Sequence, residues 1–261
     1  MEVTIEDLGP LAAHSMLAMN TGNRPRSQHN LDKLAREMIE GRWRLNGDAI
    51  RISASGRLLD GQHRLYAIIK SGCTVKCMVV RGLDDGVFDT IDTNKIRSPG
   101  DVLAISGESH ARNIVAALRL VEKYKSGKML QEVELSNTEV LPLLSKYPAI
   151  RDSVRKVTGA WKLTKPSVLS ACHYLFSEID AEDAESFFSR LESGEGLKKG
   201  SAILSLRERL LENAISKGRL SQRYLMALFV KSWNAYRTGR EIRCLAWRDG
   251  GENPQPFPAA I

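Results

Sequence analysis

The segment Asp60–Leu65 (DGQHRL), called the box below, lies where an extended sequence pattern gives way to a helical one. Upstream of it, Ile50–Ser53 alternates between apolar and polar residues as a strand does, and a turn-forming stretch follows. Downstream, Leu65 and Ile68 recur at helical spacing until Gly72. We therefore predict a strand, a glycine turn and an amphipathic helix in immediate succession.

This junction also has the chemistry of an anion site. Gly61 allows the backbone to turn sharply, so that the next main-chain amides become the open N–H groups of a helix start. The positive end of the helix dipole and Arg64 in the first turn add favourable charge. The box is therefore predicted to bind an anion, and phosphate is the best candidate.

Further segments surround the box in a definite order. Asn23-Arg24-Pro25 precedes a helical pattern that ends at Met38–Trp43, and the polar stretch Ile91–Arg97 follows the next strand-like run. Together with the box, this order over residues 1–105 resembles the N-terminal domain of the ParB/sulfiredoxin-like superfamily. The resemblance is greatest to its phage and bacterial branch, which carries a DGQHR motif.

The resemblance implies a nucleotide site. Members of the superfamily bind nucleoside triphosphates through the box, and they include chromosome-partition CTPases, sulfiredoxin, a free-serine kinase and nucleases. We therefore expect ATP or CTP as the ligand, together with Mg²⁺. Gln62 stands where sulfiredoxin has its catalytic cysteine, which argues against sulfinic-acid repair. Arg64 is the only arginine of the box, whereas partition proteins have an arginine-rich box, and this argues against a CTP clamp.

Three residues of the box are the candidates for catalysis. Arg64 is expected to grip phosphate oxygens, the alternative being a surface arginine paired with an acid. Asp60 is expected to hold a metal ion or to act as a base, the alternative being a turn residue that caps the helix. His63 either acts on the phosphate or has a structural role.

The resemblance extends the predicted nucleotide site to two loops. It places Asn23 and Arg24 near the nucleotide, although composition alone indicates a simple turn there. It also implies that Asp92, Asn94 and Arg97 face the nucleotide site and that Arg97 contacts a terminal phosphate, although composition alone indicates a solvent-exposed loop. The full set predicted to bind nucleotide is Asn23, Arg24, Gly61, Gln62, His63, Arg64, Asp92, Asn94 and Arg97.

The fold class follows from the order of the patterns. We predict an α+β protein, with a small ParB/sulfiredoxin-like mixed-sheet domain over residues 1–105 and an all-α domain over residues 106–261. Beyond about residue 98 nearly all patterns are helical, except that Ile242–Trp247 suggests a closing strand.

Charge separates the two halves. Residues 1–110 hold 14 Lys and Arg against 14 Asp and Glu, so the net charge of +7 belongs to the remainder of the chain. A basic second half predicts contact with nucleic acid, DNA in particular, and the alternative is a solvated lysine-rich helical surface.

Composition excludes several classes of protein. A hydrophobic content of 43% supports a packed core, no apolar run reaches membrane-spanning length, and the first residues do not form a signal peptide. We therefore predict a cytoplasmic protein without a membrane partner. The four cysteines lack the spacing of a zinc site, so no protein metal site is predicted.

Three functions remain open. The first is an NTPase or phosphotransferase in a DNA-related process. The second is a non-enzymatic, partition-like DNA-binding regulator that uses nucleotide as a switch. The third is a nuclease of the same fold, for which the chain offers few clustered acids.

Overall fold

A computed structural model of the chain describes residues 1–21, 23, 26–90, 98–131, 135–216 and 220–261. Its contacts divide the chain into two compact units, Met1–Ile96 and Arg97–Ile261. The boundary derived from the sequence lies after residue 105. The structure groups the helix Pro99–Ile105 with the second unit, because that helix packs against the helices that follow it.

The first unit is a four-stranded mixed sheet with helices. Its strands lie in the order β1-β4-β2-β3; β2 and β4 are parallel, and the other neighbouring pairs are antiparallel. The elements are β1 (Glu2–Leu8), α1 (Pro10–Leu17), α2 (Gln28–Ile39), β2 (Ala49–Ser53), β3 (Leu58–Asp60), α3 (Gln62–Ser71), β4 (Val75–Leu83) and a 3-10 turn (Asp85–Thr90).

One face of this sheet carries the core of the first unit. Ile50, Leu58 and Val79 project from three neighbouring strands and are fully buried, together with Leu65 and Ile68 of α3. Because side chains alternate along a strand, Arg51 falls on the face opposite Ile50, and its partner across the β2–β3 pair is Asp60, at the point where the register shifts. Helix α3 thus begins directly beside the strand pair β2–β3.

The second unit is helical. Its elements are α4 (Pro99–Ile105), α5 (Ala111–Lys125), α6 (Val140–Lys146), α7 (Ile150–Lys156), a 3-10 turn (Thr158–Lys162), α8 (Pro166–Ser177), α9 (Ala181–Ser193), α10 (Ala202–Ile215) and α11 (Gln222–Arg237). Helix α8 is buried along most of its length, and Phe176 on it stacks on Trp233 of α11 with ring centroids 4.5 Å apart. The predicted α+β architecture, a small mixed sheet followed by helices, is confirmed.

The last residues return over the helices without forming regular structure. The predicted closing strand Ile242–Trp247 is wrong: the segment turns Leu245 and Trp247 inward but pairs with no described strand. Further along, Ala259 accepts a hydrogen bond from the Asn234 amide group (2.7 Å). Among the described residues, no helix combines the length and the apolar character needed to cross a bilayer.

A buried histidine lies in the helical core. His173 Nδ1 is 3.0 Å from Ser153 Oγ and 3.3 Å from Ser177 Oγ, and its ring packs against Phe188. Burial, followed by the positive charge of Lys156, lowers the pKa of His173 to about 4.

This histidine predicts a loss of stability in acid. The unfolded chain takes up a proton near pH 6.5 and the folded chain only near pH 4, so stability falls as the pH drops through that window. From this group alone, the free energy of unfolding should be about 2 kcal/mol lower at pH 5 than at pH 7. Urea denaturation at both pH values should show this difference in the wild type and in the exposed-site control His14→Gln. A His173→Gln protein with the same acid sensitivity as the wild type would contradict the assignment.

Candidate functional site

The box forms the predicted strand–turn–helix junction. Gly61 separates β3 from α3 and has φ +101°, a left-handed conformation that favours glycine. A Cβ atom at this position would lie 2.9 Å from Ile50 Cγ1 and 3.1 Å from Ile50 Cα. Gly61 is therefore required by the packing of the turn itself, whatever the turn binds.

Asp60 is the centre of the site. Its Oδ2 atom is 2.6 Å from Arg51 Nη1 and 3.5 Å from Arg64 Nη2, while its Oδ1 accepts a hydrogen bond from the Gly61 amide (2.6 Å). Arg64 also donates through Nη1 to the carbonyl of Ala49 (2.5 Å). The Asp60 carboxylate thus pairs with two guanidinium groups and also accepts the hydrogen bond of the turn amide.

The site formed by Arg51, Asp60 and Arg64, called the corner below, carries an excess of positive charge. The side chains of Asp60 and Arg64 are only 14% and 17% exposed, so water screens their charges less than it screens those of a surface pair. The start of α3 adds the positive end of a helix dipole. Both effects favour an anion at this position.

Gln62 joins a chain of amide groups that reaches the preceding loop. Asn20 Nδ2 donates to Gln62 Oε1 (3.3 Å), and Asn23 Nδ2 donates to Asn20 Oδ1 (2.5 Å) and to the Leu58 carbonyl (2.8 Å). The structure therefore brings Asn23 to the box. Gln62 itself is buried.

His63 contacts the N-cap residue of α2. It is buried, and its Nε2 atom accepts a hydrogen bond from the Ser27 amide (3.0 Å). Ser27 is also the N-cap of α2, accepting from the Asn30 amide through its hydroxyl. This contact supports the structural alternative for His63, since Nε2 already has a donor and cannot also take a proton from a substrate.

The remaining predicted residues are Arg24, Asp92, Asn94 and Arg97. They lie outside the residues that the structure describes, and their roles stay predictions. Across the described ranges, no group of three or more His, Cys, Asp or Glu side chains is arranged to hold a metal ion. Mg²⁺ at this corner would rest on Asp60 and on oxygens of the phosphate itself.

Sequence reasoning missed Arg51 and Asn20. Arg51 pairs with Asp60 across the β2–β3 register, one step before that register shifts at Ile52. A signal was present, because an arginine within the apolar strand Ala49–Ser53 needs a partner for its charge. Asn20 gave no comparable signal.

Comparisons of the chain with known protein families, with curated proteins and with solved structures found no match. Its function is therefore inferred from the residues of this corner and from the motif that they form.

The conformation of the turn predicts that alanine costs more stability at Gly61 than at Gly56. Replacing Gly61 with alanine should lower the free energy of unfolding by about 1–3 kcal/mol, because it adds backbone strain and a clash with Ile50. The matched control Gly56→Ala, at φ +85° with nothing within 4 Å of the added Cβ, should show only the strain. Urea denaturation of both proteins measures the difference; equal losses would show that Ile50 does not restrict the turn.

The shared carboxylate predicts an anion-dependent stability. Asp60→Asn keeps an oxygen for the Gly61 amide but leaves two guanidinium groups without a counter-charge, which should cost about 2 kcal/mol. Sulfate or phosphate should restore more stability to this variant than to the wild type, as thermal unfolding over an anion titration would show. Asp152→Asn, which removes an exposed partner of Arg155, is the control. Equal responses to anion in all three proteins would rule out an anion site at the box.

Proposed function

We propose that the first unit binds a nucleoside triphosphate, ATP or CTP with Mg²⁺, at the corner formed by Arg51, Asp60 and Arg64. The proposal includes hydrolysis or transfer of the terminal phosphoryl group in a DNA-related process. The observation that carries it is the pairing of two guanidinium groups with one carboxylate at the start of α3.

In this proposal the phosphates compete with Asp60 for the arginines. A triphosphate carries more negative charge than one carboxylate, so Arg51 and Arg64 exchange Asp60 for phosphate oxygens. The main-chain amides at the start of α3 add hydrogen bonds to the same group. Asp60, released from the guanidinium groups, then becomes the carboxylate nearest to the phosphates.

After this exchange, Asp60 would have one of two roles. It would hold Mg²⁺ together with phosphate oxygens, and the metal would neutralise charge that develops during phosphoryl transfer. Alternatively, it would accept the proton of an acceptor hydroxyl group. Neither role needs a covalent intermediate, since positioning and charge neutralisation supply most of the catalysis in this reaction class.

A second candidate is a regulator that binds nucleotide as a switch without consuming it. It is favoured by the same ion pairs, because Asp60 is already held by Arg51 and Arg64 and therefore lacks the freedom of a general base. A nuclease finds less support, since the described residues contain no cluster of acids for metal-assisted cleavage.

Nucleotide binding should appear as thermal stabilisation. At a ligand concentration about 100 times the Kd, binding stabilises a protein by about 2.7 kcal/mol, which should raise the Tm by roughly 5 °C. We expect this response with Mg²⁺ and ATP or CTP. It should be lost in Arg64→Ala, strongly reduced in the milder Arg64→Lys, and kept in the surface control Arg155→Ala.

Phosphate release then separates the two candidates. Continuous release of inorganic phosphate that depends on Arg64 indicates the enzyme, whereas binding without release indicates the switch. A folded wild-type protein that no nucleoside triphosphate stabilises would refute both.

A further inference from the structure

Residues 254–261, called the strap below, contact helices α5 and α11 of the second unit. Every second residue from Pro254 to Pro258 is a proline, and the strap holds no charged residue. Proline fixes φ and has no N–H, so the strap stays extended and joins neither a helix nor a sheet. It thus has the form of a peptide ligand whose shape is set before it binds.

Side chains of the two helices hold the strap by its main chain. Asn234 of α11 donates through Nδ2 to the Ala259 carbonyl (2.7 Å) and accepts a hydrogen bond from the Ile261 amide through Oδ1 (3.2 Å). The Ala260 amide between them donates to the hydroxyl of Tyr124 on α5 (2.7 Å). Three consecutive residues of the strap are therefore recognised through their peptide groups.

Two tryptophans extend this contact. Trp233 donates through Nε1 to the Ile261 carbonyl (2.9 Å), and Trp247 donates through Nε1 to the Pro256 carbonyl (3.2 Å). The ring of Phe257 packs edge-on against Trp247, with centroids 5.4 Å apart. The residues that hold the strap, called the seat below, are Tyr124, Trp233, Asn234 and Trp247.

The side chains of the strap add less to this docking than its main chain does. Ala259 and Ile261 are exposed, and Phe257, Pro258 and Ala260 are half-buried. Release of the strap therefore exposes far less apolar surface than removal of a core helix such as α8 would. The strap is a docked segment and not a part of the core.

The linker that precedes the strap has the features of a hinge. Residues 250–253 are exposed, and no described atom lies within 4 Å of a Cβ atom added at Gly250 or Gly251. The linker is closed at its base by a hydrogen bond from the Gln255 amide to the Arg248 carbonyl (2.7 Å). Because the chain turns back here, opening of this loop carries the strap away from its own seat.

We propose that the seat is an interface between two copies of this chain, in which each copy docks its strap on the seat of the other. A second copy supplies a segment whose fit to the seat the structure shows, with the same hydrogen bonds. Reciprocal exchange of an identical segment gives a closed two-fold dimer. The inference does not rest on the nucleotide proposal, because strap and seat both belong to the second unit.

Exchange competes with docking inside one chain. A short flexible linker holds the strap near its own seat at an effective concentration of roughly 1 mM. The wild type should therefore be a monomer at micromolar concentration and form the dimer only as its concentration approaches that value. A direct test removes this competition.

Two variants separate the strap from the seat. Tyr124→Phe/Asn234→Ala, the seat variant, loses hydrogen bonds to three main-chain groups and keeps an intact strap. Phe257→Ala/Ala260→Pro, the strap variant, loses the aromatic ring and the Ala260 N–H and keeps an intact seat. The strap of the seat variant should then dock on the open seat of the strap variant.

Sedimentation velocity measures this association. Each chain carries a net charge of +7, so the experiment uses about 0.15 M salt, at which the screening length is about 8 Å. An equimolar mixture should form a species of twice the single-chain mass, about tenfold or more tightly than the wild type associates with itself, and neither variant should do so alone. A mixture that stays monomeric up to roughly 1 mM, the effective concentration of the strap within one chain, would overturn the proposal.

The matched control is Ala259→Ser/Ile261→Ala. It changes two exposed side chains of the strap and keeps the main-chain groups that the seat recognises, so its own strap still fills its own seat. Its mixture with the seat variant should stay monomeric at the concentration at which the first mixture dimerises. Equal association in the two mixtures would show that the chains meet elsewhere, and the proposal would fail.

A labelled synthetic peptide with the sequence of residues 253–261 probes the seat alone. By fluorescence anisotropy it should bind the strap variant about tenfold or more tightly than the wild type, whose seat is filled, and it should not bind the seat variant. Peptide binding without association of the two variants would indicate a site for a peptide of another protein and would overturn the assignment to a second copy.

A hinge variant keeps the test decisive if the seat variant does not fold. Deletion of Gly250 and Gly251 strains the return of the strap to its own seat and leaves strap and seat unchanged. This protein should therefore be a dimer at micromolar concentration, at which the wild type is a monomer. A folded deletion protein that remains monomeric up to roughly 1 mM would refute strap exchange.

Discussion

The candidate site of the first unit depends on one interaction, the sharing of the Asp60 carboxylate between Arg51 and Arg64. Each guanidinium alone would form an ordinary ion pair. Together, and next to the start of α3, they leave a shielded corner with more positive than negative charge. A second anion would complete this balance, which is the physical reason to expect a phosphate there.

The fold explains how the three side chains meet. Arg51 and Asp60 are opposite each other in neighbouring strands, and Arg64 lies one helical turn after Asp60. Gly61 makes the turn between strand and helix tight enough for this, because its backbone passes directly over Ile50.

How far the sequence could predict these features depends on the range of the contacts. The strand, turn and helix around Gly61 could be predicted because alternation, glycine and helical spacing are local signals. The role of Arg51 depends on a register that shifts at Ile52, and the role of His63 depends on Ser27, 36 residues away. For Ile242–Trp247, the alternation predicted the extended shape but not the absence of a partner strand, which depends on the helices beneath it.

The most direct test follows the main-chain amides of the box by NMR while Mg²⁺ and ATP or CTP are added. We expect the largest shifts at the amides of Gly61–Arg64 and at the side-chain N–H of Arg51 and Arg64, and we expect all of them to saturate with one Kd. Saturable shifts confined to other parts of the chain, with the box unchanged, would contradict this prediction.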